Sequence, residues 1–330
     1  MNVFMKEVAE QPQALKDTLE SNRGNHLSLD LNSPLLFTGM GSSLAAGQLA
    51  ALYLNAKGYP AAAVDTSELL HYQIPMLKHY QPIIVSQSGA SYEACRLAAQ
   101  LSEYTAITNT PQSTLAQGAS QVFYTAAGKE ESITATKTFT STAGLLLQLC
   151  SQWVNAPLEQ ALFQAVSKLE TAIKEEEISS RIGNFLSEDR PLFLLGRGPS
   201  VITSDLGALL LKEAARMQTE SLSLGQFRHG PFELLADSFQ CILFNPKGTT
   251  ESLNHNFAIE IAELGGKVVY VSDQVLTHPN VLSIQLNSID EFVSPLIYAY
   301  VVQMATAALS QKKGLFLGQA TLLSKVTTKE

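Results

Sequence analysis

The chain contains one ten-residue pattern twice. Pro34 to Ser43 reads PLLFTGMGSS and Pro191 to Ser200 reads PLFLLGRGPS, 157 residues apart and without a gap. Pro34, Leu35, Gly39, Gly41 and Ser43 meet Pro191, Leu192, Gly196, Gly198 and Ser200. The register persists into LAALYL (Leu49 to Leu54) against LGALLL (Leu206 to Leu211). Each copy is an apolar run, a Gly-x-Gly turn and a helix-period segment, which opens a strand–loop–helix unit. A second apolar run follows in each half, PIIVSQSG (Pro82 to Gly89) and CILFNPKG (Cys241 to Gly248). The third pair is TAITNT (Thr105 to Thr110) and KVVYVSD (Lys267 to Asp273). Continuous apolar strands alternating with helices predict parallel sheets covered on both faces. The expected fold is α/β: two tandem doubly wound parallel-sheet domains, flavodoxin-like and related by internal duplication.

A length of 330 residues suits two domains of about 150 residues each. The expected division is 1–160 and 161–330. The connection lies near Ala156 to Arg190, where LEQALFQAVSKLETAIKEEE reads as a helix whose end, Glu175, Glu176 and Glu177, is a solvated face. A net charge of −8 leaves no excess of Lys and Arg to neutralise nucleic-acid phosphates, so nucleic acid is excluded as a partner. Val293 to Leu309 is the most apolar late segment, but it holds Pro295 and Gln303 and reads as a buried helix, so no membrane partner is expected. The start, MNVFMKEVAEQPQ, has no signal-peptide apolar core. Cys95, Cys150 and Cys241 are odd in number and set in apolar surroundings, which predicts reduced, packed thiols and a cytoplasmic protein. The histidines show no ligand spacing with cysteine or carboxylates, so no metal is expected.

The stretch IIVSQSGASYEA (Ile83 to Ala94) places Ser86, Gln87, Ser88, Gly89 and Ser91 at one strand-to-helix junction. A turn with an N-cap accounts for such residues. A cradle for an anion, built from hydroxyls and helix N-terminal N–H groups, accounts for them equally well. Ser42 and Ser43 stand at the end of the first strand, where open α/β sheets bind ligands. The matching second-half loop, NPKGTTES, lacks the Ser-Gln-Ser pattern, so only one copy is expected to hold the ligand. A dinucleotide fingerprint starting at Gly39-x-Gly41 needs glycine at position 44, which is leucine, and no P-loop sequence is present. No cofactor is expected.

Acid–base groups are found in LLLKEAARMQTESLSLGQFRHGPFELL (Leu209 to Leu235). Leu209, Leu210, Ala214 and Met217 make a helical apolar stripe with Lys212 and Glu213 beside it. A partly desolvated Glu213 would suit proton transfer, whereas a surface Lys–Glu pair would not. His229, in the turn F-R-H-G-P, reads first as a structural histidine, although the GQF before it and the GP after it make a rigid turn able to project the ring.

GMGSS, SQSGAS and ESITATKTFT (Glu131 to Thr140) together resemble the SIS (sugar isomerase) family, across nearly the whole chain from Pro34 onward. The likeness is to double-SIS phosphosugar isomerases and deaminases, which include the isomerase half of glucosamine-6-phosphate synthase. It implies that Ser42, Ser43, Ser86, Gln87, Ser88 and Ser91 bind a sugar 6-phosphate, with Gly41, Thr134 and Ala135 on the sugar. The resemblance also assigns C1–C2 proton transfer to Glu213 and ring opening to His229, sixteen residues later. His229 would be contributed across the interface of a homodimer. Lys325, near the C-terminus, matches the lysine that the family brings over its site, in a gating or charge role.

Three departures stand out. Ala90-Ser91 replaces the family's Glu-Thr, Leu210 stands where the synthase has lysine, and Lys325 is displaced by one residue against the synthase. The chain begins Met-Asn-Val with no cysteine before Cys95, so ammonia is not expected to come from glutamine. The expected reaction is therefore glucosamine-6-phosphate deamination to fructose 6-phosphate and ammonia. Fructosamine-6-phosphate deglycation, aldose–ketose isomerisation of a phosphosugar, and non-catalytic phosphosugar sensing are the alternatives.

Overall fold

A computed structural model of the chain describes every residue except Met1, Glu176, Asp237, Ala320, Leu323, Thr328 and Glu330. Of the three glutamates read as a solvated face, Glu176 thus lies outside the described residues. Two compact units emerge, one formed by Glu10–Phe163 with Thr321–Glu330 and the other by Met1–Ala9 with Gln164–Ala320. The division falls inside the helix Glu159–Ala172, three residues beyond 160/161, and each terminal segment groups with the opposite half of the chain.

The first unit holds β1 (Leu35–Gly39), β2 (Ala61–Asp65), β3 (Gln81–Val85), β4 (Thr105–Thr108) and β5 (Gln121–Tyr124) in the spatial order β2-β1-β3-β4-β5, every pairing parallel. The second holds β6 (Leu192–Gly196), β7 (Thr219–Ser223), β8 (Gln240–Asn245), β9 (Lys267–Ser272) and β10 (Val281–Gln285) in the order β10-β9-β8-β6-β7, again parallel throughout. Matching β1 to β6, β2 to β7 and so on, the two orders are the same 2-1-3-4-5 winding. This is the flavodoxin-like topology, and it carries the internal repeat from sequence into structure.

Central strands are apolar because both faces are covered. Leu35, Leu36 and Phe37 of β1 and Val268, Val269, Tyr270 and Val271 of β9 are fully buried. Full burial of each such side chain is worth about 1.5–3 kcal/mol, so the sheet centres anchor both units. Val293 to Leu309, read as a buried helix, falls on the helix Ser294–Lys312 and its N-cap Val293, and Leu296, Tyr298, Val301 and Val302 are fully buried. Among the described residues, no helix is long and apolar enough to cross a membrane.

Cys150 and Cys241 are buried free thiols, as expected, whereas Cys95 is only half-buried. The apolar stripe also needs correction, because the helix Pro199–Ala215 stops at a left-handed Arg216 (φ 48°). Met217 is buried beyond that stop rather than on the helix.

Candidate functional site

In a 2-1-3-4-5 sheet the chain leaves β1 toward β2 and leaves β3 toward β4, in opposite directions, and a crevice opens between the carboxyl ends of β1 and β3. The loops after those strands are GMGSS and SQSGAS. At the β1 exit, a Cβ on Gly39 would come within 2.9 Å of both Ser43 Cβ and the Val85 carbonyl oxygen, so only glycine lets the two loops approach. Gly41 adopts φ 53° at the N-cap position and has no side chain to cap the helix Ser42–Ala56. Ser42 and Ser43 occupy its first two positions, both half-buried.

The second loop holds its serines in a tight turn at the carboxyl end of β3. Ser86, only 3% exposed, donates its N–H to Ile107 O (3.0 Å), and Gly89 closes a tight turn back onto Ser86 O (3.1 Å). Gly89 takes φ 60°, and a Cβ there would lie 2.1 Å from Ser113 Oγ. Ser91 stands at the N-cap of the helix Tyr92–Ala98 with extended backbone (φ −60°, ψ 137°), yet its side chain makes no capping bond. Its hydroxyl instead lies 2.7 Å from Ser86 Oγ. That pair consumes one of two O–H donors, which leaves the other for an acceptor in the crevice. Ser88 Oγ accepts the Ala90 N–H at 3.2 Å. The half-buried Gln87 is fixed through its backbone carbonyl, which accepts from Asn109 N (3.0 Å) and Thr108 Oγ1 (3.3 Å). Ser91 is thus not serving as the helix cap.

The corresponding loop of the second unit is filled from within. Thr249 donates its N–H and its hydroxyl to Glu291, both at 3.1 Å, and Lys247 donates its N–H to Asp273 Oδ2 at 3.2 Å. A Cβ on Gly248 would meet Glu291 Oε2 at 2.3 Å. The chain's own carboxylates sit where an anion would, so an incoming phosphate would meet two like charges.

Thr134 and Ala135 precede the helix Lys137–Trp153. Thr134 is fully buried with its hydroxyl 3.1 Å from Ser132 Oγ, so its side chain is turned into the protein, while Ala135 is half-buried. The anchor of this segment is Glu130, which the sequence reading missed. Its carboxylate is shut off from solvent and accepts the N–H groups of Thr136 (2.9 Å) and Thr138 (3.1 Å) together with both threonine hydroxyls (2.9 and 2.5 Å). An acid just ahead of a Thr-rich helix start was the available signal, since carboxylates favour helix N-termini. Lys325 is not a solvent-exposed lysine. Its Nζ lies 3.0 Å from Glu130 Oε2 and donates to Ser132 O at 2.6 Å. Two residues on, Thr327 O accepts the Tyr92 N–H at 3.1 Å.

Glu213 and His229 belong to the second unit. Glu213 is half-buried near the end of the helix Pro199–Ala215, with fully buried Leu210 and nearly buried Ala214 on either side and Lys212 exposed. His229 follows the short helix Leu224–Arg228, which Ser223 caps by accepting the Gln226 N–H (3.2 Å) and the buried Phe227 pins to the core. The ring is exposed, on a backbone held by its N–H bond to Gln226 O (3.0 Å). Its neighbour Arg228 pairs with Glu260 and lies over Phe257, 4.3 Å from the centroid. With Arg197, Asn256 and Glu260, His229 lines a pocket of about 470 Å³. In the first unit, a pocket of about 360 Å³ lined by Gln81, Thr105 and Gln121 sits at the strands' amino ends, the edge opposite the serine loops.

The family model described as SIS domain matches residues 32–151, which contain both serine loops and the Glu130–Thr138 segment. A glutamine–fructose-6-phosphate aminotransferase (isomerizing) from Thermococcus kodakarensis is 26% identical over 332 residues, covering 94% of this chain and 55% of that protein. The chain thus spans somewhat over half the length of the curated relatives it matches. Among solved structures, the C-terminal domain of glucosamine-fructose-6-phosphate aminotransferase from Francisella tularensis superposes with a TM-score of 0.84 at 21% identity, covering 97% of this chain and 99% of that one. A glucosamine-6-phosphate deaminase from Thermotoga maritima gives 0.80 at 19% identity, covering 98% and 99%. At these identities the superpositions establish the fold. Residues 32–151 thus carry a SIS domain, and the same flavodoxin-like winding recurs in the second half of the chain.

Proposed function

We propose that the chain is a phosphosugar-converting enzyme whose first unit binds a sugar 6-phosphate, and that the reaction is the deamination of glucosamine 6-phosphate. The observation that carries this reading is Ser91, whose hydroxyl turns from the helix it could cap toward Ser86. Ser42, Ser43, Ser86, Ser88, Ser91 and the Gln87 amide would surround the phosphate. Hydrogen bonds to a charged acceptor are worth about 1.5–3 kcal/mol each, so a few of them hold the group without an arginine.

With the phosphate fixed, the chemistry needs two acid–base groups. His229, exposed and supplied by a second copy of the chain, protonates the ring oxygen and takes the C1 hydroxyl proton, which opens the ring. Glu213 removes the C2 proton and returns it to C1, while an amine proton passes to O1. The aldehyde thereby becomes a ketose imine. Water adds at C2, ammonia leaves, and the product is fructose 6-phosphate. General acid–base groups contribute about 10²–10⁴-fold each. The deaminase named above shares this chain's fold over 99% of its own length, so the fold is compatible with that reaction.

The test is a panel of hexose and aminohexose 6-phosphates assayed together for ammonia and ketose. Equal yields of both from glucosamine 6-phosphate are expected. Ketose formation without ammonia would instead assign an aldose–ketose isomerisation, and turnover of fructosamine 6-phosphates alone would assign a deglycation.

A further inference from the structure

The proposed mechanism does not use Glu130, although it is the most heavily hydrogen-bonded carboxylate near the Thr134 segment. It accepts two backbone N–H groups and two hydroxyls at the start of the helix Lys137–Trp153, and then an ion pair from Lys325, 195 residues away in sequence. Capping a helix needs an acceptor but no cation. An ionised carboxylate closed to solvent does need one, because an uncompensated buried charge is strongly disfavoured. Lys325 supplies it while its own side chain remains 26% exposed.

The segment from Ser324 to Thr327 is consequently held at two places. Lys325 is tied to Glu130 and Ser132 O, and Thr327 O accepts from Tyr92 N, the residue after Ser91. Ser324 Oγ donates to Val326 O at 2.8 Å, which tightens the bend around Lys325. The segment thereby joins the Thr134 loop to the serine loop. Two of the three ammonium N–H directions are committed to Glu130 and Ser132, which leaves one to meet an acceptor.

We propose that Glu130 is a positioning residue: it fixes Lys325 between the two loops so that the third ammonium N–H is presented to an oxygen of the bound sugar phosphate. The latch is a statement about the protein alone, and only its use toward a ligand rests on the proposed function. In this arrangement Lys325 acts as a held charge and donor.

The test reads a position that neither substitution touches. Hydrogen exchange at the Tyr92 amide is followed by mass spectrometry in wild type, Glu130→Gln and Lys325→Gln, without ligand. Releasing the latch frees the Tyr92 N–H from Thr327, so exchange there is expected to accelerate at least tenfold in both variants. In Lys325→Gln the amides of Thr136 and Thr138 should keep their protection, because Glu130 still accepts from them. Unchanged Tyr92 exchange in Lys325→Gln would overturn the latch. Acceleration confined to Glu130→Gln, together with melting of the helix Lys137–Trp153, would also overturn it and leave Glu130 as a cap only. With glucosamine 6-phosphate, Lys325→Gln is expected to raise KM or lower kcat about tenfold while Lys325→Arg recovers most of the loss. Accelerated exchange with unaltered kinetics would retain the latch and overturn its use toward the ligand. A wild type with no phosphosugar turnover would overturn the proposed reaction while leaving the exchange result intact.

Discussion

Ser86 Oγ and Ser91 Oγ stand 2.7 Å apart across the turn that follows β3, and the Ser91 side chain, although at an N-cap position, makes no capping bond to the helix behind it. A hydroxyl that forgoes its local partner is available for a ligand. Ser91→Ala should therefore weaken phosphosugar binding by roughly 10–150-fold, the equivalent of one charge-assisted hydrogen bond, while Ser91→Thr should restore it. Titration calorimetry on the two variants checks this, and equal weakening by both would locate the effect in packing rather than in the hydroxyl.

Gly89 closes the same turn with φ 60°, and a Cβ would lie 2.1 Å from Ser113 Oγ. Gly89→Ala combines a left-handed alanine with overpacking, at about 1–2 and 1–3 kcal/mol respectively. A loss of about 2–5 kcal/mol in urea unfolding is expected. A change below about 0.5 kcal/mol would mean that the turn is not held as described.

Glu213 and His229 are assigned to proton transfer and not to phosphate recognition. Glu213→Gln and His229→Ala should each lower kcat by about 10²–10⁴-fold with little change in equilibrium affinity for the sugar phosphate. If His229 is supplied in trans, mixing the two inactive variants should regenerate part of the activity through hybrid dimers. Failure of mixtures to recover any turnover after subunit exchange would place both groups in one chain.

Burial pushes the thiols of Cys150 and Cys241 well above their ordinary value of 9.0, and it pushes the Tyr300 phenol up to about 12. Tyr298 is likewise held well above 10.0, by burial first and then by the Asp273 charge. In each case the folded state retains a proton that the unfolded chain gives up. Their contribution to stability is complete below pH 9 and declines as pH rises through 9 and then 10. Unfolding free energy measured from pH 8 to pH 11 should fall over that window. Cys150 and Cys241 should resist thiol reagents at pH 8 until the chain is denatured.

The legible parts of the fold were those where burial is two-sided. The runs LLF, IIV, CILF and VVYV are buried in β1, β3, β8 and β9 and could be read as strands. The outer strands could not. The edge strands β2, AAAVD, and β7, TESLS, are polar or small and mostly half-buried, and β5 and β10 are exposed at one end. An edge strand owes its place to pairing with a neighbour rather than to its own pattern. The serine loops were visible because hydroxyls are costly to explain twice over. Glu130 was not, because its importance comes from Lys325 far along the chain, and no local spacing encodes a contact of that range. Likewise, Glu291 filling the loop of the second unit is a tertiary fact behind an absence already noticed in the sequence.

The serine cradle is the claim from which the rest follows, and one comparison tests it most directly: equilibrium binding of glucosamine 6-phosphate against glucosamine, on wild type and on Ser86→Ala with Ser88→Ala. The account predicts that wild type binds the phosphorylated sugar at least 100-fold more tightly, and that the double variant loses most of this preference. Equal affinity for the two sugars, or a preference untouched by the loss of both hydroxyls, would contradict it.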